Sequence, residues 1–416
     1  MIAAAAAIGT LAIPGNYTVL HPRFALLLQV SILVGVALVA VAAIRGVSHP
    51  GWRRAAYPAL VALVALSLTA AGSSEQFLSN LQTVAPIVAG IGVVGVIGVE
   101  RAIKTLGLLS VALMVTLVLD ALTGAYLVHQ VFGPPRHSTV ITAGLRARGF
   151  IGQPVPAAVF QVSVAVLGLF YAMTWSGGRA FMLRGAAIVL GLGGALLAGT
   201  RSALLLLVIG LFMLTVVSVV RRGSISPRTV STLSFLLAGG VAISAVVPSS
   251  AFGRVLEFGE LRETISFSNR LRALDFLEYW TLETAPDKVL GHGARSLQTR
   301  LQDGTISNGI STVDNMFVTV LWDFGVLGVA VCLVVAFMTF RTVFSRRSSQ
   351  MERAAAASLS ILLLSSLFFD TFYTTPLAFV AGALWACRGS RELSETAPST
   401  VDGASRGAAI PTSAAG

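Results

Sequence analysis

Apolar runs close to twenty residues long, separated by polar stretches, recur along almost the whole chain. Their limits fall near residues 2–13, 24–44, 55–72, 81–99, 105–125, 156–175, 184–200, 202–220, 229–247, 315–340, 354–370 and 373–388. About twenty consecutive apolar residues are the length of one α-helix crossing the hydrocarbon of a bilayer. The pattern therefore predicts an all-α polytopic membrane protein with about 12 transmembrane helices. The first run is too short to span unless it continues past Pro14. It lacks the basic start of a signal peptide, so it is expected to stay in the chain.

The loops set the expected orientation. With the N-terminus cytoplasmic, short inward loops hold Arg45, Arg53, Arg54, Arg101, Lys104, Arg179, Arg184, Arg221, Arg222, Arg228, Arg341, Arg346, Arg347 and Arg353. Short outward loops hold only Arg23 and Arg201. This is the positive-inside asymmetry, and it puts both termini in the cytoplasm. Two outward loops are long, 126–155 and 248–314, and long translocated loops escape the charge rule. One polytopic domain thus covers residues 1–388. Residues 389–416, rich in Ala, Ser, Thr, Gly and Pro, read as a disordered cytoplasmic tail.

Composition narrows the class further. The chain is 55% hydrophobic and 11% charged, with mean hydropathy +0.83. Soluble domains carry about a quarter charged residues, so that class is excluded. A net charge of +11 raises nucleic acid as a partner. Most of the Arg lies between apolar runs, however, so the expected partner is the lipid bilayer and not nucleic acid. Cys332 and Cys387 fall inside apolar runs and read as small core residues, with no disulfide and no metal site expected.

Polar chemistry is concentrated between Pro248 and Val313, which gathers Arg262, Arg270, Asp287, Arg295, Arg300 and many other charges. It reads as a large, partly helical extracytoplasmic loop over the bundle mouth. Ser268 or Asn269 suits the N-cap of an amphipathic stretch reaching Trp280. Leu271, Leu274, Phe276, Leu277, Tyr279 and Trp280 supply its apolar side.

Several residues are candidates for chemistry, each beside a plainer role. Thr200-Arg201-Ser202 occupies a tight outward turn, where Arg201 either snorkels to the interface or points into a polar site. Arg146 and Arg148 stand beside Gly149, Gly152 and Pro154, a turn that suits a phosphate group or anionic lipid. Arg270 falls in the expected first turn of a helix, a place that favours acids. His292, between Gly291 and Gly293, reads as a surface histidine or a base. Asp314 sits at a helix start as N-cap or functional carboxyl, with Asn315 next to it. Asp323 lies deeper in the apolar run, where a carboxyl has a partner or a function, and an outward Arg such as Arg201 is the expected partner.

The order of these motifs resembles the O-antigen ligase and O-antigen polymerase superfamily of bacterial envelope glycan enzymes. The parallels are Arg146-x-x-Gly149 with Pro154 before a helix, Thr200-Arg201-Ser202 between helices, and Arg270-x-x-x-Leu274 in the large loop. Pro286 with Gly291-x-Gly293 follows, then Asp314-Asn315 ahead of Asp323-x-Gly325-x-x-Gly328. The resemblance covers about residues 105–370. Ligases of the family typically carry a His where this chain has Asp314, and Gln153-Pro154-Val155 replaces an Asn-flanked proline, which leaves a polymerase open.

The resemblance implies a metal-independent glycosyltransferase without cofactor in the bacterial cytoplasmic membrane. Its donor is a polyprenyl-diphosphate-linked glycan, and its acceptor a hydroxyl on a saccharide, glycolipid or protein. Arg201 and Arg270 are expected on the diphosphate with Arg146 or Arg148 assisting, Asp314 on the acceptor, and Asn315, Asp323 and His292 in support. Three rivals stand beside it: a transporter or flippase of lipid-linked saccharides, a shape-and-division peptidoglycan polymerase, and a non-catalytic membrane scaffold.

Overall fold

The computed structural model describes residues 74–127, 146–222, 275–304, 315–371 and 373–389, with single positions at 37, 56, 57, 59, 61, 65, 130 and 313. Every regular element among them is helical. Two helices, α1 (Ser74–Ile97) and α2 (Val99–Thr123), precede α3 (Pro154–Tyr171), α4 (Gly177–Leu197) and α5 (Arg201–Arg222). Three short helices follow, α6 (Phe276–Leu282), α7 (Ala285–Leu290) and α8 (Ser296–Gln302). The last three are α9 (Met316–Phe344), α10 (Gln350–Ser365) and α11 (Thr375–Arg388).

Five helices, α2 to α5 and α9, are long and apolar enough to cross a membrane, and α1 adds a shorter apolar run from Thr83 to Ile97. The chain is thus a membrane protein, all-helical among the described residues. The expected runs 2–13 and 229–247 lie outside the described residues, as do all but single positions of 24–44 and 55–72, and residues 390–416 of the tail.

Helix limits follow local chemistry as much as hydropathy. α3 opens with Pro154 in its first turn, where a missing N–H costs nothing. α10 opens with a reciprocal capping box between Ser349 and Glu352. α1 begins at Ser74, well before the apolar run at 81, because its polar first turns have partners described below.

α3 is the centre of the bundle. It is buried on nearly every side from Pro156 to Phe170, as a helix apolar all round must be. It packs on α4, α5 and α10, while α11 lies along α1. Ser163 and Ser358 each donate to the other's carbonyl, tying α3 to α10. Gln161 donates to the Ser110 carbonyl at 2.8 Å and accepts from its hydroxyl, tying α3 to α2. Such bonds hold helices together where apolar burial against lipid gives little. The outer helices instead expose Leu122 (77%), Met182 (72%), Phe212 (67%) and Phe337 (66%), a surface made for hydrocarbon.

One end of this bundle gathers the starts of α1, α3, α5, α9 and α11 and the ends of α2, α4 and α10. The Ala147 N–H donates to the Leu197 carbonyl at 3.1 Å, and the Met316 N–H to the Ser366 carbonyl at 3.0 Å. At the opposite end stand Arg101, Lys104, Arg179, Arg184, Arg341, Arg346, Arg347, Arg353 and Arg388.

Candidate functional site

At the first of these ends, two buried carboxyl groups each capture a returning turn of backbone. Asp120, near the end of α2, is 1% exposed. Its Oδ1 accepts from the Leu127 N–H at 2.8 Å. Its Oδ2 accepts from the N–H groups of Arg148 at 3.0 Å and Gly149 at 2.8 Å. The Phe150 N–H adds a bond to Thr116 Oγ1 at 3.2 Å. Glycine suits 149, where φ is 55° and a Cβ would press on the Leu113 side chain at 2.6 Å. A 3-10 turn at Gly149–Ile151 then leads into Pro154.

The same turn grips the α4–α5 corner. Arg146 Nε donates to the Ala198 carbonyl at 2.9 Å, and a terminal nitrogen donates to Thr200 Oγ1 at 3.1 Å. A helix end leaves carbonyls without partners, and this guanidinium satisfies one. Arg148 points differently. Its guanidinium lies 4.1 Å from the centre of the Tyr126 ring, and its Nε is buried with no hydrogen-bond partner among the described residues. Arg201 opens α5 directly after the corner and is half-buried. Two motifs separated by some fifty residues of sequence thus form one surface.

Asp323 is the second anchor. It is fully buried in α9, two residues before a break at Gly325, whose φ of 63° and ψ of −164° are not helical. The break lets the carbonyls of Trp322 and Asp323 accept from the N–H groups of His292 at 3.1 Å and Gly293 at 2.7 Å. The chains cross so closely that a Cβ on Gly325 would stand 2.3 Å from the Val289 carbonyl oxygen, and one on Gly291 2.4 Å from that of Asp323. The Asp323 carboxyl accepts from the N–H groups of Arg295 at 2.6 Å and Leu297 at 3.1 Å, from the Ser296 hydroxyl at 2.8 Å, and from the Tyr373 hydroxyl. α1 holds the same turn from its other side. Asn80 Oδ1 accepts from the Ala294 N–H at 2.6 Å, and Ser79 donates to the Ala294 carbonyl at 3.1 Å.

Trp322 forms the wall beneath the 275–304 segment. Phe276, Leu297, Leu301 and Val318 pack with it, and Trp280 leans on the cluster. The His292 ring lies 5.2 Å from the Trp322 ring, and the Arg300 guanidinium also stands 5.2 Å from it. Glu283 faces both side chains, with Oε1 3.2 Å from Arg300 and Oε2 3.4 Å from His292 Nε2. Below this layer an apolar cavity of about 360 Å³ runs from Phe324 and Tyr373 to Met338 and Trp385. A polar pocket of about 60 Å³ opens beside Arg295, Gln298, Thr319, Asp370 and Tyr373.

Several sequence expectations change here. Asp323 pairs with backbone N–H groups and two hydroxyls and not with Arg201, because the 295–297 turn and Tyr373 together fill the space around its carboxyl. Asn315, not Asp314, caps α9, accepting from the Phe317 N–H at 3.0 Å. Asp314 itself lies outside the described residues, as do Arg270, Ser268, Asn269, Leu271 and Leu274. Of the expected apolar side of the large loop, Phe276 is buried and Trp280 packs on the core, whereas Leu277 and Tyr279 are exposed. A metal-ligand cluster was not expected, yet donor atoms of Glu283, Asp287 and His292 lie within 4.8 Å of one another. Asp120 and Tyr373 were not among the candidates. A lone acid inside the run 105–125 is the signal that marked Asp323 and also marks Asp120; Tyr373 carries no such signal. No protein-family model matches the chain, and no curated protein matches it.

Proposed function

We propose that the chain is a membrane glycan ligase or polymerase, transferring a saccharide from a polyprenyl-diphosphate-linked donor to a hydroxyl acceptor. It would work at the outer face of the bacterial cytoplasmic membrane, in a bundle of about 12 helices with both termini inside. The observation that carries this reading is the joining of the Arg146–Pro154 turn to the Thr200–Arg201 corner. It puts guanidinium groups at the end of the bundle opposite the Arg-rich one.

In this reading the acceptor oxygen attacks the anomeric carbon and the bond from that carbon to the diphosphate oxygen breaks. The electron pair stays on the diphosphate, which departs on its lipid, and the acceptor proton passes to a carboxyl, for which Asp314 is the candidate. Arg148 and Arg201, joined by Arg270, stabilise the charge that develops on the leaving group. Arg146 acts one step back, because its Nε and a terminal nitrogen hold the corner. The apolar cavity beside Tyr373 and Phe324 suits part of an isoprenoid chain. A transporter spreads its charges along the midplane of the bilayer; here the described cations stand at the two ends.

The test is reconstitution of the purified full chain in liposomes with a polyprenyl-diphosphate glycan and acceptor saccharide. Transfer appears as a heavier acceptor and a freed lipid diphosphate in equal amounts. Donor crossing the bilayer intact would make the chain a transporter, and an unchanged, unmoved donor would leave a scaffold. Either result overturns the proposal. Reporter fusions after Arg222 and Arg347 should read as cytoplasmic and one near Arg262 as external; an external reporter at Arg347 breaks the topology.

A further inference from the structure

We propose that Glu283, Asp287 and His292 bind one divalent transition-metal ion, with zinc the best fit, as a clamp on the 276–302 segment. The inference stands apart from the glycan-transfer reading. One donor comes from the end of α6, one from α7, and one from the turn that crosses the broken α9. All three donor atoms lie within 4.8 Å of one another.

The His292 ring is fixed before any ion arrives. Its backbone N–H is held by the Trp322 carbonyl, and its ring rests on the Trp322 indole. Its Nε2 is buried and has no hydrogen-bond partner among the described residues, although Glu283 Oε2 stands 3.4 Å away. A tetrahedral ion ~2.1 Å from each donor sets those donors ~3.4 Å apart. The His292–Glu283 pair already has that spacing, and Asp287 closes the third side. Thr284 donates its hydroxyl to Asp287 Oδ2 at 2.5 Å, an outer bond of the kind that orients a metal-binding carboxyl. One imidazole with two carboxyl groups favours a borderline ion such as zinc over magnesium or calcium, which prefer oxygen alone.

Arg300 separates this site from a plain network of ion pairs. It occupies Glu283 Oε1, so the ion takes only Oε2, and the guanidinium charge opposes it. Removing that charge should tighten metal binding. In a mere ion-pair network, the same change would only weaken the segment.

The experiment uses the full chain in detergent, stripped of metal by a chelator and titrated with zinc, with magnesium and calcium in parallel. Bound metal is measured by elemental analysis, and the thermal unfolding midpoint is followed alongside. The expected result is one zinc per chain and a midpoint several degrees higher, with neither effect from magnesium or calcium. Asp287→Asn should weaken zinc binding at least about tenfold while keeping the unfolding midpoint of the metal-free protein. His292→Ala should abolish binding, and Arg300→Gln should tighten it. Because His292 also packs on Trp322, Asp287→Asn carries the test if His292→Ala fails to fold. No saturable zinc on the wild type, or equal zinc on wild type and Asp287→Asn, overturns the proposal.

Discussion

The two anchored turns use one device for different ends. In each, a carboxyl buried in an apolar helix accepts from the N–H groups of a glycine-containing turn that returns to the bundle. Asp120 does this from an unbroken α2 and takes three backbone bonds. Asp323 does it beside a helix break and takes two backbone N–H groups and two hydroxyls. The Asp120 turn presents Arg148 with a buried Nε that no described group satisfies. The Asp323 turn closes over its carboxyl completely. Both buried acids thus hold backbone in place, and neither carboxyl is left open to solvent.

The largest expected effect falls on the closed region. Gly325→Val forces a side chain into the Val289 carbonyl and an unfavourable φ, and should leave almost no folded protein on size-exclusion chromatography. Strain of ~1–3 kcal/mol for the backbone alone, added to the clash, is enough for that. Normal yield and elution of this variant would show that the crossing at Gly291 and Gly325 does not hold the segment.

Next come the anchors themselves. Each buried donor left without an acceptor costs about 1–3 kcal/mol. Asp323→Ala strands four donors and should lower the unfolding midpoint further than Asp120→Ala, which strands three. The reverse order would mean that the Asp120 turn is the more tightly held, contrary to the comparison.

A smaller effect divides the two arginines of the first turn. Arg146→Lys loses the fork that reaches both Ala198 and Thr200, and should cost about 1 kcal/mol of stability. Arg148→Lys should leave the unfolding midpoint nearly unchanged and act on turnover instead. Smallest of all is Ser163→Ala, which removes one side of a reciprocal pair and should cost only about 0.6 kcal/mol by denaturant titration. A loss several times larger would give this mid-membrane contact a weight that the two ends do not have.

How much of this was legible in sequence depends on what sets each feature. Bilayer thickness sets the length of an apolar run, so the runs at 156–175, 202–220 and 315–340 found their helices within a few residues, while α2 starts six residues before the run at 105. Hydropathy missed the first turns of α1, because Ser79 and Asn80 are polar for the sake of Ala294, more than two hundred residues away. The partner of Asp323 was misread for the same reason. A buried carboxyl shows in sequence, but which turn folds back onto it depends on the helix break at Gly325, and a glycine within an apolar run does not by itself announce a break. Thr200 and Arg146 lie far apart in the chain, and only the fold joins them.

The central claim is that guanidinium groups at this end stabilise a departing lipid diphosphate, and turnover by Arg148→Lys and Arg201→Lys tests it most directly. Both variants are compared with wild type at matched amounts of folded protein, using a polyprenyl-diphosphate glycan as donor. Lysine keeps the charge but loses the forked donor. Each variant should therefore turn over ~100- to 1000-fold more slowly, the loss typical of one transition-state contact worth about 3–4 kcal/mol. If the two residues only snorkel to the interface, lysine serves as well as arginine. Wild-type turnover by both variants would contradict the account.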